Sequence, residues 1–175
     1  MKNMGAEIVV GNNDDSGSLE RAASGVDSEF AMATPMTGDD IEVRHGKAIS
    51  DTAKTVGVPH LVYSSMANAD HRTGIAHADS KYEIEKHIGE LDIPWTLVAP
   101  VFFIENAQFP WNINGLRRGV FSQALPCSRK LKPVSYMDVG RFVALGIEQP
   151  EPFIGLRNRY CGRRIDRARD GGGFV

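Results

Sequence analysis

The sequence predicts an α/β fold, a doubly wound parallel sheet with helices on both faces. Two short apolar runs, Leu61–Tyr63 and Trp95–Ala99, lack the polar alternation of a half-exposed strand, which is typical of strands covered on both faces. A helical pattern over residues 77–91 separates them, with Ile84 and Ile88 on one apolar stripe. Strand, helix and strand in this order predict a right-handed crossover between parallel strands.

Ahead of this unit the same alternation occurs twice. The predicted elements are a strand over Gly5–Gly11, a helix from Ser16 or Ser18 to Gly25, a strand over Phe30–Thr34 and a helix from Asp39 or Asp40 to Val56. Serine and aspartate side chains accept hydrogen bonds from the free amides that begin a helix, and glycine favours its end. These signals set the predicted boundaries.

After Pro100 the pattern is weaker. It predicts a short helix over residues 105–114, a strand over Val134–Tyr136 and a helix from Asp138 to Ile147. Residues 157–175 show no apolar periodicity and hold six of the 20 basic residues but only two of the 22 acidic ones. We therefore expect one domain over residues 1–156 and a disordered, basic, glycine-rich tail over residues 157–175.

The composition excludes several classes of protein. A formal net charge of −2 and a pI near 6.2 provide no general attraction to nucleic acid or to anionic membranes, so we expect neither as a partner. No apolar run reaches the roughly 18 residues of a membrane helix. Two cysteines are too few for a disulfide framework, which suggests a reducing compartment and a cytoplasmic location.

The predicted strands bring polar residues to one edge of the sheet. Four turns follow the ends of successive strands: Gly11–Asn12, Thr34–Pro35, Ser64–Ser65 and Pro100–Val101. In an open parallel sheet, ligands bind in the crevice at this carboxyl edge. We therefore expect a ligand site there.

Lys81 and His77 are the sharpest chemical features near that crevice. Lys81 lies close to the apolar stripe of its helix, so it either extends to water or reaches a polar group. His77 lies four residues earlier, where the short-chain dehydrogenases carry the tyrosine of Tyr-x-x-x-Lys. An imidazole donates protons near neutral pH, but it could equally cap the helix. The histidines show no metal spacing, so no metal site is expected.

Several motifs together resemble the NmrA-like family, a group of atypical short-chain dehydrogenase relatives with a Rossmann fold. They include G-A-E-I-V-V-G-N-N-D-D, V-P-H-L-V-Y-S-S, G-I-x-H-x-D-S-K-x-E-I-E-K and I-P-W-T-L-V-A-P-V-F-F-I-E-N. The resemblance runs from about Gly5 to about Gly155.

The resemblance implies NADP or NAD as cofactor, and it implies site residues. Lys81 would contact the nicotinamide ribose, while Ser64 and Phe103 would lie near the nicotinamide. Thr34 and Pro35 would flank the cofactor, and Asn12 would lie near the adenine. His77 or Ser64 would stand near a small quinone-like acceptor, as the catalytic candidates.

Two departures from the family pattern qualify this hypothesis. No glycine-rich turn of the G-x-T-G-x-x-G type occurs, so we expect an incomplete fold that lacks the first strand–helix unit and binds a dinucleotide weakly at best. The arginine-glycine tail replaces the family's usual ending, as a reading-frame change would. An incomplete sheet would also expose an edge for self-association.

Three functional hypotheses remain open. The chain is an NAD(P)H-dependent oxidoreductase of the quinone type, a non-catalytic redox-sensing regulatory module, or a truncated product that binds little or no cofactor. The first two differ in whether a hydride leaves the bound cofactor, and the third differs in whether a cofactor binds.

Overall fold

The computed structural model describes residues 5–34, 39–71, 73–120 and 132–160. Four parallel strands form one sheet in the order β1-β2-β3-β4. The strands are β1 Glu29–Ala31, β2 Leu61–Ser64, β3 Trp95–Pro100 and β4 Arg157–Tyr160. The helices are α1 Ser16–Ala23, α2 Asp39–Val56, α3 Ala76–Glu90, α4 Pro110–Leu116 and α5 Tyr136–Glu148, with 3₁₀ turns at Ala69–His71 and Ile104–Gln108.

The predicted central unit is confirmed. β2 and β3 pair in parallel, with Leu61 opposite Trp95 and Ser64 opposite Val98. α3 connects them within one residue of the predicted helix. All residues of β2 are buried, as the continuous apolar run predicts for a strand covered on both faces.

Each face of the sheet has its own apolar core. Alternate strand residues point to opposite faces, so Leu61 and Tyr63 face α2 and α3, while Val62 and Val98 face α5. Both clusters are well buried, and Tyr63 is the largest side chain with no exposed surface among the residues that the structure describes. The strands that lead to the carboxyl edge of the sheet are therefore held by packed apolar cores on both faces.

The predicted first strand is wrong. Residues 5–10 form no strand, and Ile8, Val9 and Val10 are 52%, 48% and 88% exposed. A strand needs a neighbour that accepts and donates its backbone hydrogen bonds. Among the described residues β1 is the edge of the sheet and nothing pairs with its outer side. The apolar pattern of residues 5–10 is therefore not sufficient for a strand here.

The predicted disorder from Arg157 onward is also wrong for the first four residues. Arg157–Tyr160 forms β4 and pairs with β3. The amides of Leu97 and Val101 donate to the carbonyls of Leu156 and Tyr160, both at 2.9 Å. Residues 161–175 lie outside the described residues. A strand with two arginines and one asparagine escapes a hydrophobicity pattern, because backbone pairing and specific ion pairs hold it.

Smaller differences concern boundaries. β1 ends at Ala31 instead of Thr34, and Val134 forms a single bridge with Phe103 instead of a strand. α5 begins two residues before Asp138, where the Ser135 hydroxyl accepts from the Met137 amide as an N-cap. Within the described ranges, no helix is long and apolar enough to cross a membrane.

Candidate functional site

Three of the four predicted turns do meet at one edge. Thr34 follows β1, Ser65 follows β2 and Val101 follows β3, all at the carboxyl ends of paired parallel strands. Asn12 does not follow a strand, since residues 5–10 form none; it lies in the turn before α1. The expected crevice is thus built by β1, β2, β3 and the segments that follow them.

A cluster of polar side chains, buried except for His77, lies between α2 and α3 beside this edge. We call Glu42, His77, Ser80 and Lys81 the Glu42 cluster. The Glu42 carboxylate accepts a hydrogen bond from the Ser80 hydroxyl at 2.5 Å, and it lies 3.3 Å from Nδ1 of His77. Lys81 Nζ lies 2.9 Å from Glu42 Oε1. That contact lacks hydrogen-bond geometry, so the attraction of the two charges dominates it.

Lys81 also binds the segment that follows β1. Its ammonium donates to the carbonyl of Ala33 at 2.5 Å and lies 5.7 Å from the centre of the Tyr63 ring. Only 4% of Lys81 is exposed. The lysine predicted at the apolar stripe therefore reaches polar groups and does not extend to water. It joins α2, α3 and the segment after β1.

The pKa of Glu42 reflects this environment. Burial acts to raise it, but the hydrogen bonds from Ser80 and His77 and the adjacent charge of Lys81 outweigh that effect. The pKa is therefore held below its ordinary value, and the carboxylate stays ionised in the folded protein.

Glu42 is a site residue that the sequence analysis missed. It shares one helical face with Ile49 and Ala53, seven and eleven residues later, and both are buried. A charged residue on an apolar face is the same signal that singled out Lys81. Gly46 allows the close helix approach, since a Cβ there would lie 2.5 Å from Cδ1 of Ile84.

The two serines at the end of β2, Ser64 and Ser65, face opposite sides of the sheet. Ser65 donates to Glu85 of α3, which also receives Nε of Arg157 at 2.8 Å. Ser64 lies opposite Val98 and so faces the α5 side of the sheet, whereas Lys81 lies on the Tyr63 side. The Ser64 hydroxyl and the Lys81 ammonium therefore lie on opposite faces of the sheet, and the predicted place of Ser64 in the site stays a prediction.

The remaining predicted site residues occupy different surroundings. Asn12 and Thr34 are exposed, and the Asn12 side chain accepts from the amide of Asp14 at 3.0 Å. Phe103 is partly buried against the α5-side core and pairs with Val134 through its backbone. Pro35 lies outside the described residues. The roles that the resemblance implies for these residues stay predictions.

The residues of this edge fit only part of a dinucleotide. Lys81, the exposed Thr34 and the partly exposed imidazole of His77 offer polar groups for a ribose and a nicotinamide. The chain's sequence contains no glycine-rich turn opening a helix, which is what a pyrophosphate requires. Among the described residues, no group of three or more His, Cys, Asp or Glu side chains could hold a metal ion.

Similarity to known proteins extends this picture. An NAD(P)H azoreductase from Xenophilus azovorans is 30% identical over 102 residues, which cover 58% of this chain and 35% of the azoreductase. An NADPH-dependent quinone oxidoreductase from Escherichia coli, solved with NADPH, superposes with a TM-score of 0.79 at 22% identity, covering 92% of this chain and 55% of that one. The negative transcriptional regulator NmrA, solved with NAD, gives a TM-score of 0.65 at 21% identity, covering 83% of this chain and 48% of that one.

These matches differ in what they establish. The structural likenesses, at under 25% identity, establish the Rossmann-like fold. The chain spans about a third of the curated azoreductase and about half of the two solved structures. The profile of the NmrA-like family matches residues 1–163, nearly the whole chain. The chain therefore belongs to the NmrA-like family.

Proposed function

We propose that this chain carries the nicotinamide end of an NAD(P)H-dependent oxidoreductase of the quinone type. The observation that supports it most is the Glu42 cluster. In it a buried ammonium and a 43%-exposed imidazole contact the two oxygens of one carboxylate, beside the carboxyl edge of the sheet. Lys81 would contact the nicotinamide ribose, as the family resemblance implies, and Thr34 would flank the cofactor.

His77 would supply a proton to the acceptor. A reduced nicotinamide, when bound, supplies a hydride. A quinone that accepts a hydride needs one further proton to become a hydroquinone, and an imidazolium can donate it near neutral pH. His77 suits this role better than Ser64, because Ser64 is 8% exposed and faces the α5 side.

Cofactor binding tests the proposal directly. Without a glycine-rich turn we expect a dissociation constant for NADPH of about 1 mM or weaker, close to −4 kcal/mol of binding free energy. Calorimetric titration of the purified chain measures it, with NADH compared in parallel. Saturation by NADPH at micromolar concentration would contradict the expected weakness, and no binding at 10 mM, roughly tenfold above the expected constant, would contradict the proposal.

Two lysine variants of α3 test where the cofactor binds. Lys81→Ala should weaken NADPH binding by about 1–3 kcal/mol, the scale of one hydrogen bond from a charged group. Lys86→Ala is the matched control, because Lys86 lies on the same helix but is exposed and pairs with Glu83. Circular dichroism confirms that both variants are folded. Equal affinity in the folded Lys81 variant would place the cofactor elsewhere.

The second candidate is a redox-sensing module that binds the dinucleotide without turnover. Two observations favour it: the similarity to the regulator NmrA, and a histidine in place of the tyrosine of Tyr-x-x-x-Lys. The two candidates separate in one assay. NADPH oxidation in the presence of a quinone supports the oxidoreductase, and binding without oxidation supports the sensor.

A further inference from the structure

Two histidines of α3 face two carboxylates of α2, but through different ring nitrogens. His77 approaches Oε2 of Glu42 with Nδ1, at 3.3 Å. His87 approaches Oδ1 of Asp51 with Nε2, at 2.6 Å. An ionised carboxylate only accepts hydrogen bonds, so the ring nitrogen that faces it carries the proton. The two rings of one helix are therefore held in opposite tautomers.

The two carboxylates differ in how firmly they are held. Glu42 has no exposed surface, and its oxygens also contact the Ser80 hydroxyl and the Lys81 ammonium. The side chain of Asp51 is 54% exposed. Glu42 thus cannot turn away from His77 without abandoning two buried partners, whereas Asp51 can reorient into water.

The reactive atom of the His77 ring is Nε2, the nitrogen that faces away from Glu42. With Nδ1 directed at Glu42, Nε2 has no hydrogen-bond partner among the described residues, and 43% of the side chain is exposed. A neutral ring in this tautomer presents an unprotonated Nε2 outward, where it can take a proton from water and pass it on.

Two other charged groups near His77, Lys81 and Asp70, have partners of their own, whereas one buried oxygen of Asp79 on α3 accepts no hydrogen bond from any described residue. Lys81, on the same helix, sits on the opposite oxygen of Glu42, so the carboxylate lies between the two basic groups. Asp70, in the neighbouring 3₁₀ turn, lies 3.4 Å from Arg157 and 4.0 Å from His71. β3, which also packs on α3, contains no charged residue. Glu42 is therefore the carboxylate that orients His77.

We propose that Glu42 is a positioning residue for His77: it holds the ring in the Nδ1–H tautomer and so makes Nε2 the atom that exchanges a proton with the acceptor. This step rests on the proposed oxidoreductase function. The positioning itself follows from the described contacts and can be tested without any cofactor.

Nitrogen-15 NMR of the wild-type chain, above the pH at which histidines are protonated, reads the tautomers directly. We expect the Nδ1–H form at His77 and the Nε2–H form at His87, which serves as an internal reference. Neutral histidine free in water favours Nε2–H, so His77 should be the exception. A dominant Nε2–H form at His77 in the folded wild type would overturn the proposal.

Matched variants connect the tautomer to turnover. Glu42→Gln should lower the Nδ1–H fraction of His77 and reduce kcat for quinone reduction roughly tenfold or more, since a general acid contributes about 10²–10⁴-fold. The KM for the quinone should change less. Asp51→Asn should alter His87 alone and leave kcat unchanged. If Glu42→Gln does not fold, the wild-type tautomer decides.

The outcomes separate the two proposals. If His77 has the expected tautomer but the chain neither binds NADPH nor reduces a quinone, the positioning role of Glu42 is supported and the proposed oxidoreductase function is contradicted. A folded Glu42→Gln variant with a changed tautomer and an unchanged kcat would defeat the positioning role in catalysis. So would loss of kcat with no change in the tautomer.

Discussion

Lys81 and Glu42 form a buried ion pair that joins α3 to α2, with Nζ and Oε1 2.9 Å apart. Neither side chain is more than 5% exposed. Removing two charges from water is costly, and the cost is offset only where further hydrogen bonds satisfy both groups. Here Ser80 donates one such bond to Glu42, and the carbonyl of Ala33 accepts one from Lys81. The pair consequently makes the site and the packing of two helices depend on each other.

Replacing only one member of the ion pair should destabilise the fold strongly. Lys81→Met should lower the free energy of unfolding by about 3–5 kcal/mol, because Glu42 is left as an uncompensated buried charge. The double variant Lys81→Met, Glu42→Leu should recover most of that loss, since an apolar pair of similar volume needs no solvation. Urea unfolding measures all three chains. A double variant no more stable than the single one would refute the charge explanation.

The stability of the fold in acid should depend on the ionisation of Glu42. Its folded-state pKa lies below the ordinary 4.5, so its interactions contribute full stability above that pH and lose it as the pH falls through the folded value. Glu42→Gln should therefore be less stable than wild type at pH 7, and the difference should shrink as the pH falls through the folded-state pKa of Glu42. Stability curves from pH 7 into the acid range measure this. A difference that stays constant with pH would argue against it.

Glu29 at the start of β1 should behave in the opposite way. Its Oε2 is buried without a partner, and burial raises the pKa of the carboxyl above 4.5. Ionisation then destabilises the fold as the pH rises past that value. Glu29→Gln should raise the free energy of unfolding at pH 7 by about 1 kcal/mol and have little effect near pH 4. Glu20→Gln, at an exposed position of α1, is the control.

The open edge of β1 should make the chain self-associate. Phe30 and Met32 are 48% and 54% exposed beside backbone groups that no described strand pairs with. Sedimentation velocity should show dimers or larger species that increase with protein concentration. Phe30→Lys should shift the equilibrium toward monomer, because a charge at an edge opposes pairing. Trp111→Lys, at an exposed aromatic far along the chain, should not. A wild-type chain that remains monomeric would defeat the prediction.

Arg157 should contribute more to the free energy of unfolding than Arg159, an exposed arginine of the same strand. Its guanidinium donates to Glu85 at 2.8 Å and to the carbonyl of Met66 at 2.9 Å. Arg157→Ala leaves Glu85 buried and should cost about 3 kcal/mol or more. Arg159→Ala changes an exposed position and should cost under about 0.5 kcal/mol. Thermal unfolding of both variants measures the contrast, and equal losses would show that the buried contacts of Arg157 contribute nothing.

The local pattern was sufficient where neighbouring segments of the chain also pack together. Leu61–Ser64, Ala76–Glu90 and Trp95–Pro100 form one crossover unit, and their apolar runs and helical stripe predict it almost to the residue. The same pattern places Lys81 beside the core, because a helix turns by a constant angle per residue.

What Lys81 contacts was decided only by the tertiary structure. Glu42 and Ala33 are 39 and 48 residues away in sequence, and no local pattern encodes such a meeting. Two segments show that local sequence does not predict whether a strand forms. Residues 5–10 have an apolar pattern but no partner strand among the described residues, whereas residues 157–160 have a polar sequence and pair with β3. A strand exists only when another strand completes its hydrogen bonds, so its sequence alone cannot determine whether it forms.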